Sequence, residues 1–167
     1  MNCTIISGTN RPGSNSYKIA RQYHRLLQER GVTCSLLALD QVNPLTEPEQ
    51  FRETEERLLR PADRYVFVSP EYNGSIPGIL KVIIDEADWK SAWKSKKAML
   101  VGVSTGRAGN LRGMDHLAAI LHHMQMHVMP NMLPISQVDR YLNDQGEITD
   151  PGTLRAMERQ VEQFIAF

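Results

Sequence analysis

The segment NCTIISGTNRPGSNSYKIARQYHRLLQERG, residues 2–31, decides the fold class. Its opening residues are mostly apolar, which predicts a short buried strand over 2–7. Residues 7–16 contain no aliphatic side chain, and a helical spacing of apolar residues then runs from Ser14 to a stop at Gly31. A strand that enters a helix through a loop rich in glycine and hydroxyl groups is the first unit of a parallel α/β sheet.

The same alternation continues to the end of the chain. It predicts further strands over 32–39, 64–69 and 98–104, and a fifth near 127–130 for which an extension towards Ile135 is compatible with the sequence. Strands that alternate with helices require parallel pairing and right-handed crossovers, which predicts a three-layer α/β sandwich. The 167 residues suit a single domain, 1–167. The helices that separate the strands are predicted over 47–60, from Pro77, over 111–123 and from Pro151.

Composition excludes several classes of function. Lys and Arg number 19, as do Asp and Glu, so the chain has no global field for nucleic acid or for an anionic membrane. Cys3 and Cys34 lack metal-like spacing, the N-terminus lacks a signal-peptide pattern, and no apolar run approaches a membrane span. We therefore expect a cytoplasmic protein with reduced thiols. His123 and His127 lack a nearby Cys or carboxylate, so no metal site is predicted.

Three loops have an unusual composition. They are GTNRPGSNS after the first strand, PEYNGSIPG after the third and TGRAGNLRG after the fourth, each rich in glycine and polar residues. The carboxyl ends of parallel strands meet at one edge of a sheet, where ligands of such folds bind. The three loops therefore predict one binding site.

The first loop is suited to a phosphate. Hydroxyl groups and free N–H groups at the start of a helix attract anions, and Arg11 adds a planar, charged donor. The glycine spacing is close to a Walker loop, but Ser14 and Asn15 stand where that loop needs Lys and Ser or Thr, and a G-x-G-x-x-G pattern is absent. A ligand with a single phosphate group is thus predicted. The alternative is an ordinary helix entry capped by Ser14.

The other two loops are suited to a flat ring. Tyr72 offers an aromatic face, and glycines such as Gly74 allow the backbone to approach a planar ligand closely. Arg107 and Arg112 of the third loop are available for a second anion. A phosphate at one end and a heterocycle at the other describe a mononucleotide, most naturally flavin mononucleotide (FMN). A rigid Asn-Gly turn and a flexible connection are the alternatives for the two loops.

These residues resemble the motifs of the NADPH-dependent FMN reductases of the flavodoxin-like superfamily. The family pattern G-S-x-R-x-x-S corresponds to GTNRPGS at 8–14, and S-x-G-x-x-G-G corresponds to STGRAGN at 104–110. The most specific motif, P-E-Y-N-x-S-x-P-G-x-L-K-N, corresponds to PEYNGSIPGILKV at 70–82. Three positions depart from the family: Ser16 and Val82 stand where Asn is usual, and Asn110 replaces the second glycine of the last motif.

The resemblance implies a fold and a set of site residues. It implies a flavodoxin-like α/β/α sandwich with a five-stranded parallel sheet of order 2-1-3-4-5, FMN as the cofactor, and NADPH or NADH as the reductant. The phosphate would be bound from the first loop, and the isoalloxazine would lie between the second and third loops. The implied cofactor-binding residues are Thr9, Arg11, Ser14, Asn15, Ser16, Pro70, Glu71, Tyr72, Asn73, Gly74, Ser104, Thr105 and Gly106.

The resemblance also implies an activity. Hydride would pass from nicotinamide to flavin N5 and electrons then to a small acceptor such as free flavin or a quinone, with no catalytic side chain. Arg107 or Arg112 would contact the phosphates of the nicotinamide nucleotide. A homodimer or homotetramer is expected, with Trp89 and Trp93 at a subunit interface. The alternatives are a flavodoxin-type electron carrier, which would usually be strongly acidic, or a protein of the same fold without a cofactor.

Overall fold

A parallel sheet of six strands forms the centre of the computed structural model, which describes residues 1–167. The order β2-β1-β3-β4-β5 confirms the predicted 2-1-3-4-5. The fifth position holds two short strands, β5 and β6, which both pair with β4. Pro130 lies between them and has no N–H to continue the ladder. The strands are β1 (Asn2–Ser7), β2 (Thr33–Ala38), β3 (Arg64–Pro70), β4 (Lys97–Val103), β5 (His127–Val128) and β6 (Leu133–Ile135).

Helices cover both faces of the sheet, and none is long and apolar enough to cross a lipid bilayer. The starts predicted at Ser14 and Pro151 are confirmed, since Ser14 caps the first helix and Pro151 opens the last. The predicted helix 47–60 is present, but it becomes a π-helix over Glu55–Leu59. The helices are α1 (Asn15–Gln28), α2 (Pro48–Thr54), α3 (Gly78–Glu86), α4 (Leu111–His123) and α5 (Pro151–Ala166), with a second π-helical turn at Trp89–Trp93.

Successive strand residues point into two separate cores, which confirms the three-layer architecture. Ile5 packs with α1 and α5 on one face, whereas Ile6 packs with α3 and α4 on the other. Val66 and Phe67 of β3 divide between the two cores in the same way. This alternation explains why the central strands carry consecutive apolar residues, such as 5–6 of β1 and 65–68 of β3.

The tryptophans correct one prediction. Trp93 is completely buried within its own chain, its Nε1 donates to the Ile84 carbonyl at 3.1 Å, and its ring centroid lies 5.1 Å from that of Tyr65. A role for Trp93 at a subunit interface is therefore wrong. The π-helical turn directs this residue inward, which the four-residue spacing of Trp89 and Trp93 did not indicate.

Candidate functional site

A cavity of about 660 Å³ opens at the carboxyl edge of the sheet, between the loops that follow β1, β3 and β4. Its volume lies within the range of small-molecule sites. All thirteen residues predicted to bind a cofactor line it, and so does Arg107. Arg112 does not line it. The lining residues that the sequence did not indicate are Pro12, Gly13, Val103, Ala108 and Val138.

The loop after β1, which the sequence predicts to bind phosphate, forms one end of the cavity. Ser14 caps α1, its Oγ accepting from the Tyr17 N–H at 3.1 Å, and the hydroxyl proton stays free to donate. The N–H groups of Asn15 and Ser16 belong to the first turn of α1 and have no intrahelical acceptor. The exposed Arg11 side chain forms no ion pair within the chain. This end of the cavity therefore presents donors and a positive charge, the combination that binds phosphate.

Two contacts join this loop to the loop after β3. The hydroxyl groups of Thr9 and Tyr72 are 2.6 Å apart, and the Arg11 guanidinium lies 4.2 Å above the centroid of the Tyr72 ring. Thr9 is buried, and its Oγ1 also accepts from the Arg11 N–H at 3.3 Å. The Thr9 hydroxyl thus holds two loops together and lies in the wall of the cavity.

A tight turn forms the middle of the loop after β3. Tyr72 and Ser75 exchange two backbone hydrogen bonds, of 2.9 and 3.0 Å. Asn73 and Gly74 between them have φ values of 51° and 75°, the pair of positive angles that a type I′ turn requires. Their own N–H groups donate to no acceptor in the chain. The predicted Asn-Gly turn is therefore present, and it presents two free donors at the cavity.

The loop after β4 is held by a side-chain contact within the loop and by backbone contacts to residues 137–138. The Ser104 hydroxyl donates to the Gly106 carbonyl at 3.0 Å and accepts from the Gly109 N–H at 2.9 Å, so it is occupied inside the loop. Behind the loop, the N–H groups of Gln137 and Val138 donate to Gly106 and Ser104. These backbone contacts bring Val138 to the cavity, and no motif in the sequence marks that residue.

Arg112 lies outside the cavity, beside the turn in the loop after β3. One of its terminal nitrogens is 3.8 Å from the position that a Cβ would take on Gly74. One helical turn further along α4, His116 Nδ1 lies 2.9 Å from Ser75 Oγ. The first turns of α4 thus lie against the turn at 72–75.

Known proteins are similar to this chain over most of its length. The family model described as NADPH-dependent FMN reductase matches residues 1–139. An NAD(P)H-dependent FMN reductase of Pseudomonas aeruginosa is 32% identical over 118 residues, which are 68% of this chain and 61% of that reductase. A quinone reductase of Escherichia coli K12 is 34% identical over 72% of this chain and 68% of its own length.

Solved structures share the fold. The flavoenzyme NAD(P)H:(acceptor) oxidoreductase FerB of Paracoccus denitrificans superposes with a TM-score of 0.81 at 23% identity, covering 99% of this chain and 95% of its own. A flavodoxin mutant of Pseudomonas aeruginosa superposes with a TM-score of 0.63 at 20% identity, covering 99% of this chain and 97% of its own. Both likenesses confirm the flavodoxin-like arrangement of sheet and helices.

Proposed function

Because the chain belongs to the NADPH-dependent FMN reductase family, we propose that it binds FMN in the cavity at the carboxyl edge of the sheet. It uses this cofactor to move reducing equivalents from NADPH or NADH to a small acceptor such as a quinone or free flavin. The observation that carries the proposal is that all thirteen residues predicted to bind a cofactor, from three separate loops, line one cavity. The names of the reductases from Pseudomonas aeruginosa and Escherichia coli support the class of reaction.

The donors around the cavity fit the chemistry of FMN. Arg11, the Ser14 hydroxyl and the free N–H groups that open α1 bind the phosphate. The free N–H groups of Asn73 and Gly74 donate to the heteroatoms of the ring and stabilise negative charge on it. Thr105 and Gly106 cover the other side. Thr9 and Ser104 act differently from the other residues, because their hydroxyl groups hold the loops in place.

FMN, when bound, supplies the hydride and electron chemistry at N5, so the protein needs no acid or nucleophile of its own. The contribution of the chain is to hold the ring between two loops and to leave one approach open for a nicotinamide and an acceptor. Arg107, exposed at the cavity, contacts a phosphate of the nicotinamide nucleotide. Arg112, beside Gly74, is the second cation at that mouth.

The rest of the proposal concerns the state of the protein in the cell. It is a single FMN-binding domain, 1–167, and a cytoplasmic homodimer or homotetramer. The two free thiols, Cys3 and Cys34, support a reducing compartment. Equal numbers of acidic and basic residues favour a small-molecule partner over nucleic acid. They also favour a reductase over a flavodoxin-type carrier, whose surface is usually acidic.

One experiment separates the alternatives. The purified protein is mixed with FMN, free flavin is removed by gel filtration, and NADPH or NADH is added without oxygen while the visible flavin band is followed. We expect flavin to be retained and to bleach. Retained flavin that stays oxidised with both nucleotides indicates an electron carrier. Absence of retained flavin, together with no NADPH oxidation in excess FMN, contradicts the proposal and leaves a protein of the same fold without a cofactor.

A further inference from the structure

We infer that Asn110 is a positioning residue that fixes the loop after β3 against the loop after β4; its role toward flavin rests on the proposed function. Asn110 takes the place of the second glycine of the family's third motif. It has φ 64° and ψ 32°, in the left-handed region where a glycine is usual. Asn tolerates this conformation better than most residues, so the backbone of the motif is kept while a side chain is added.

The added side chain does not enter the cavity. It is completely buried, and Nδ2 lies 2.9 Å from the Ser69 carbonyl oxygen and 3.0 Å from the Pro70 carbonyl oxygen, to which it donates. Ser69 Oγ lies 3.4 Å from the same nitrogen. Pro70 ends β3, and the loop that follows it carries Tyr72 and the Asn73-Gly74 turn. The amide therefore joins the start of one cavity-lining loop to the end of another, 40 residues apart in sequence.

Glycines provide the space that the amide occupies. A Cβ on Gly113 would lie 2.0 Å from Asn110 Oδ1, and a Cβ on Gly102 would lie 2.1 Å from the carbonyl oxygen of Gly109. Both distances are far below van der Waals contact, so a side chain at Gly102 would require movement of the backbone, and one at Gly113 would displace the Asn110 amide. The first turn of α4 thus packs against β4 closely enough to bring Asn110 to the end of β3.

Asn110 also carries costs that a glycine would avoid. Its Oδ1 is buried and accepts no hydrogen bond from the protein, and a non-glycine residue is strained at this φ. The Nδ2 contacts offset these costs. Those contacts hold Pro70, and the next residue, Glu71, donates its N–H to the Val103 carbonyl at 3.1 Å. The loop after β3 is therefore held at its origin by both β4 and the end of the loop after β4, and this sets the free donors of Asn73 and Gly74 relative to Thr105 and Gly106.

Two variants test the inference. Asn110→Gly keeps the left-handed backbone and removes the amide, and Asn110→Asp keeps the shape but places a carboxylate oxygen against two carbonyl oxygens. The matched control is Gln125→Gly, a left-handed and exposed residue just beyond α4 that is remote from the cavity lining. Binding of FMN and of riboflavin is measured by flavin fluorescence, and hydrogen exchange of residues 69–75 is measured on the flavin-free protein.

We expect Asn110→Gly to weaken FMN and riboflavin binding by the same factor, about 3- to 10-fold, because the tether acts at the ring end that both ligands share. Asn110→Asp should weaken both further, and both variants should exchange the Glu71 amide faster than the wild type and Gln125→Gly. Wild-type exchange in both variants overturns the inference, and so does faster exchange with unchanged flavin binding. If wild-type protein binds neither flavin, the proposed function fails, whereas the exchange rates still decide whether the tether exists.

Discussion

The two ends of the sheet use their polar groups differently. At the amino end, the Tyr65 hydroxyl lies 2.6 Å from the Leu59 carbonyl oxygen and 2.8 Å from that of Ala92. Lys96 Nζ donates to the carbonyls of Leu59 and Arg60 at 2.9 and 2.8 Å. At the carboxyl end, by contrast, the N–H groups of the Asn73-Gly74 turn donate to no group of the chain. Polar groups of the amino end satisfy one another, whereas the cavity retains donors without acceptors.

This difference follows from the parallel topology. All strands enter the sheet at one end and leave it at the other, so the loops that leave can vary around a site while the other end closes the core. The two π-helical segments close the amino end, because the Leu59 and Ala92 carbonyls that face Tyr65 belong to them. Substitutions at the amino end should therefore change stability, and substitutions at the cavity should change ligand binding.

The largest effect is expected for Arg11→Ala, which tests the cavity end. Loss of a charged hydrogen bond to the phosphate should weaken FMN binding by about 10- to 100-fold. The free energy of unfolding should change by less than about 0.5 kcal/mol, because the side chain is exposed. Isothermal titration with FMN and denaturant unfolding of the same sample measure both quantities.

Riboflavin and a second arginine variant provide the controls for Arg11. Riboflavin lacks the phosphate and should bind more weakly than FMN, with the same affinity for Arg11→Ala as for the wild type. Arg21→Ala removes an exposed arginine from α1 outside the cavity and should leave both ligands unaffected. Equal losses for FMN and riboflavin in Arg11→Ala would place Arg11 at the ring, through its contact with Tyr72, and would contradict the phosphate assignment.

A smaller effect, on stability and not on FMN binding, is expected for Tyr65→Phe at the amino end. The variant keeps the completely buried ring but leaves the Ala92 carbonyl oxygen without its side-chain donor, whereas Lys96 still donates to the Leu59 carbonyl. The free energy of unfolding should fall by about 1–2 kcal/mol. FMN affinity should stay within error of the wild type. Tyr17→Phe is the matched control, since the Tyr17 hydroxyl has no hydrogen-bond partner in the chain and lies outside the FMN cavity. Equal stability of the two variants would show that the Tyr65 contacts contribute nothing.

Sequence patterns were sufficient for the sheet and for the meeting of the three loops at one cavity. Residues 65–68 of the third strand are all apolar, as expected for a strand buried on both faces, and parallel pairing alone brings the three glycine-rich loops together. Local patterns also gave the cap at Ser14 and the turn at Asn73-Gly74, because both depend on residues only two or three positions apart.

The uses of individual polar side chains could not be predicted in the same way. Thr9 and Tyr72 are 63 residues apart, so nothing local indicates that their hydroxyl groups meet. Val138 lies at the cavity because the N–H groups of Gln137 and Val138 donate to the loop after β4, and no local sequence pattern indicates these contacts. Asn110 could be recognised as a departure from a motif, but the direction of its side chain depends on the close packing at Gly102 and Gly113. Tertiary contacts determine whether a polar group in a loop faces a ligand or the protein.

The smallest effect is expected for the pH dependence of stability at the amino end. Burial lowers the pKa of Lys96 from its ordinary value to about 8, and Asp63 opposes this shift in part. Between pH 8 and the ordinary lysine range, the unfolded chain therefore binds more protons at this site than the folded chain. Folding stability contributed by Lys96 should rise as pH increases through this window. The neutral amine still donates to the Leu59 and Arg60 carbonyls, so deprotonation does not remove the contacts.

Lys96→Met isolates this contribution. The difference in unfolding free energy between wild type and Lys96→Met should grow from pH 7.5 to pH 9.5, while Lys90→Met, which removes an exposed lysine nearby, should show no such growth. FMN affinity should be the same in all three proteins at each pH. A difference that stays constant with pH would mean that the pKa of Lys96 is the same in the folded and unfolded chains. A difference that falls with pH would mean that the ammonium group is better stabilised in the folded chain than in water, and either result contradicts the prediction.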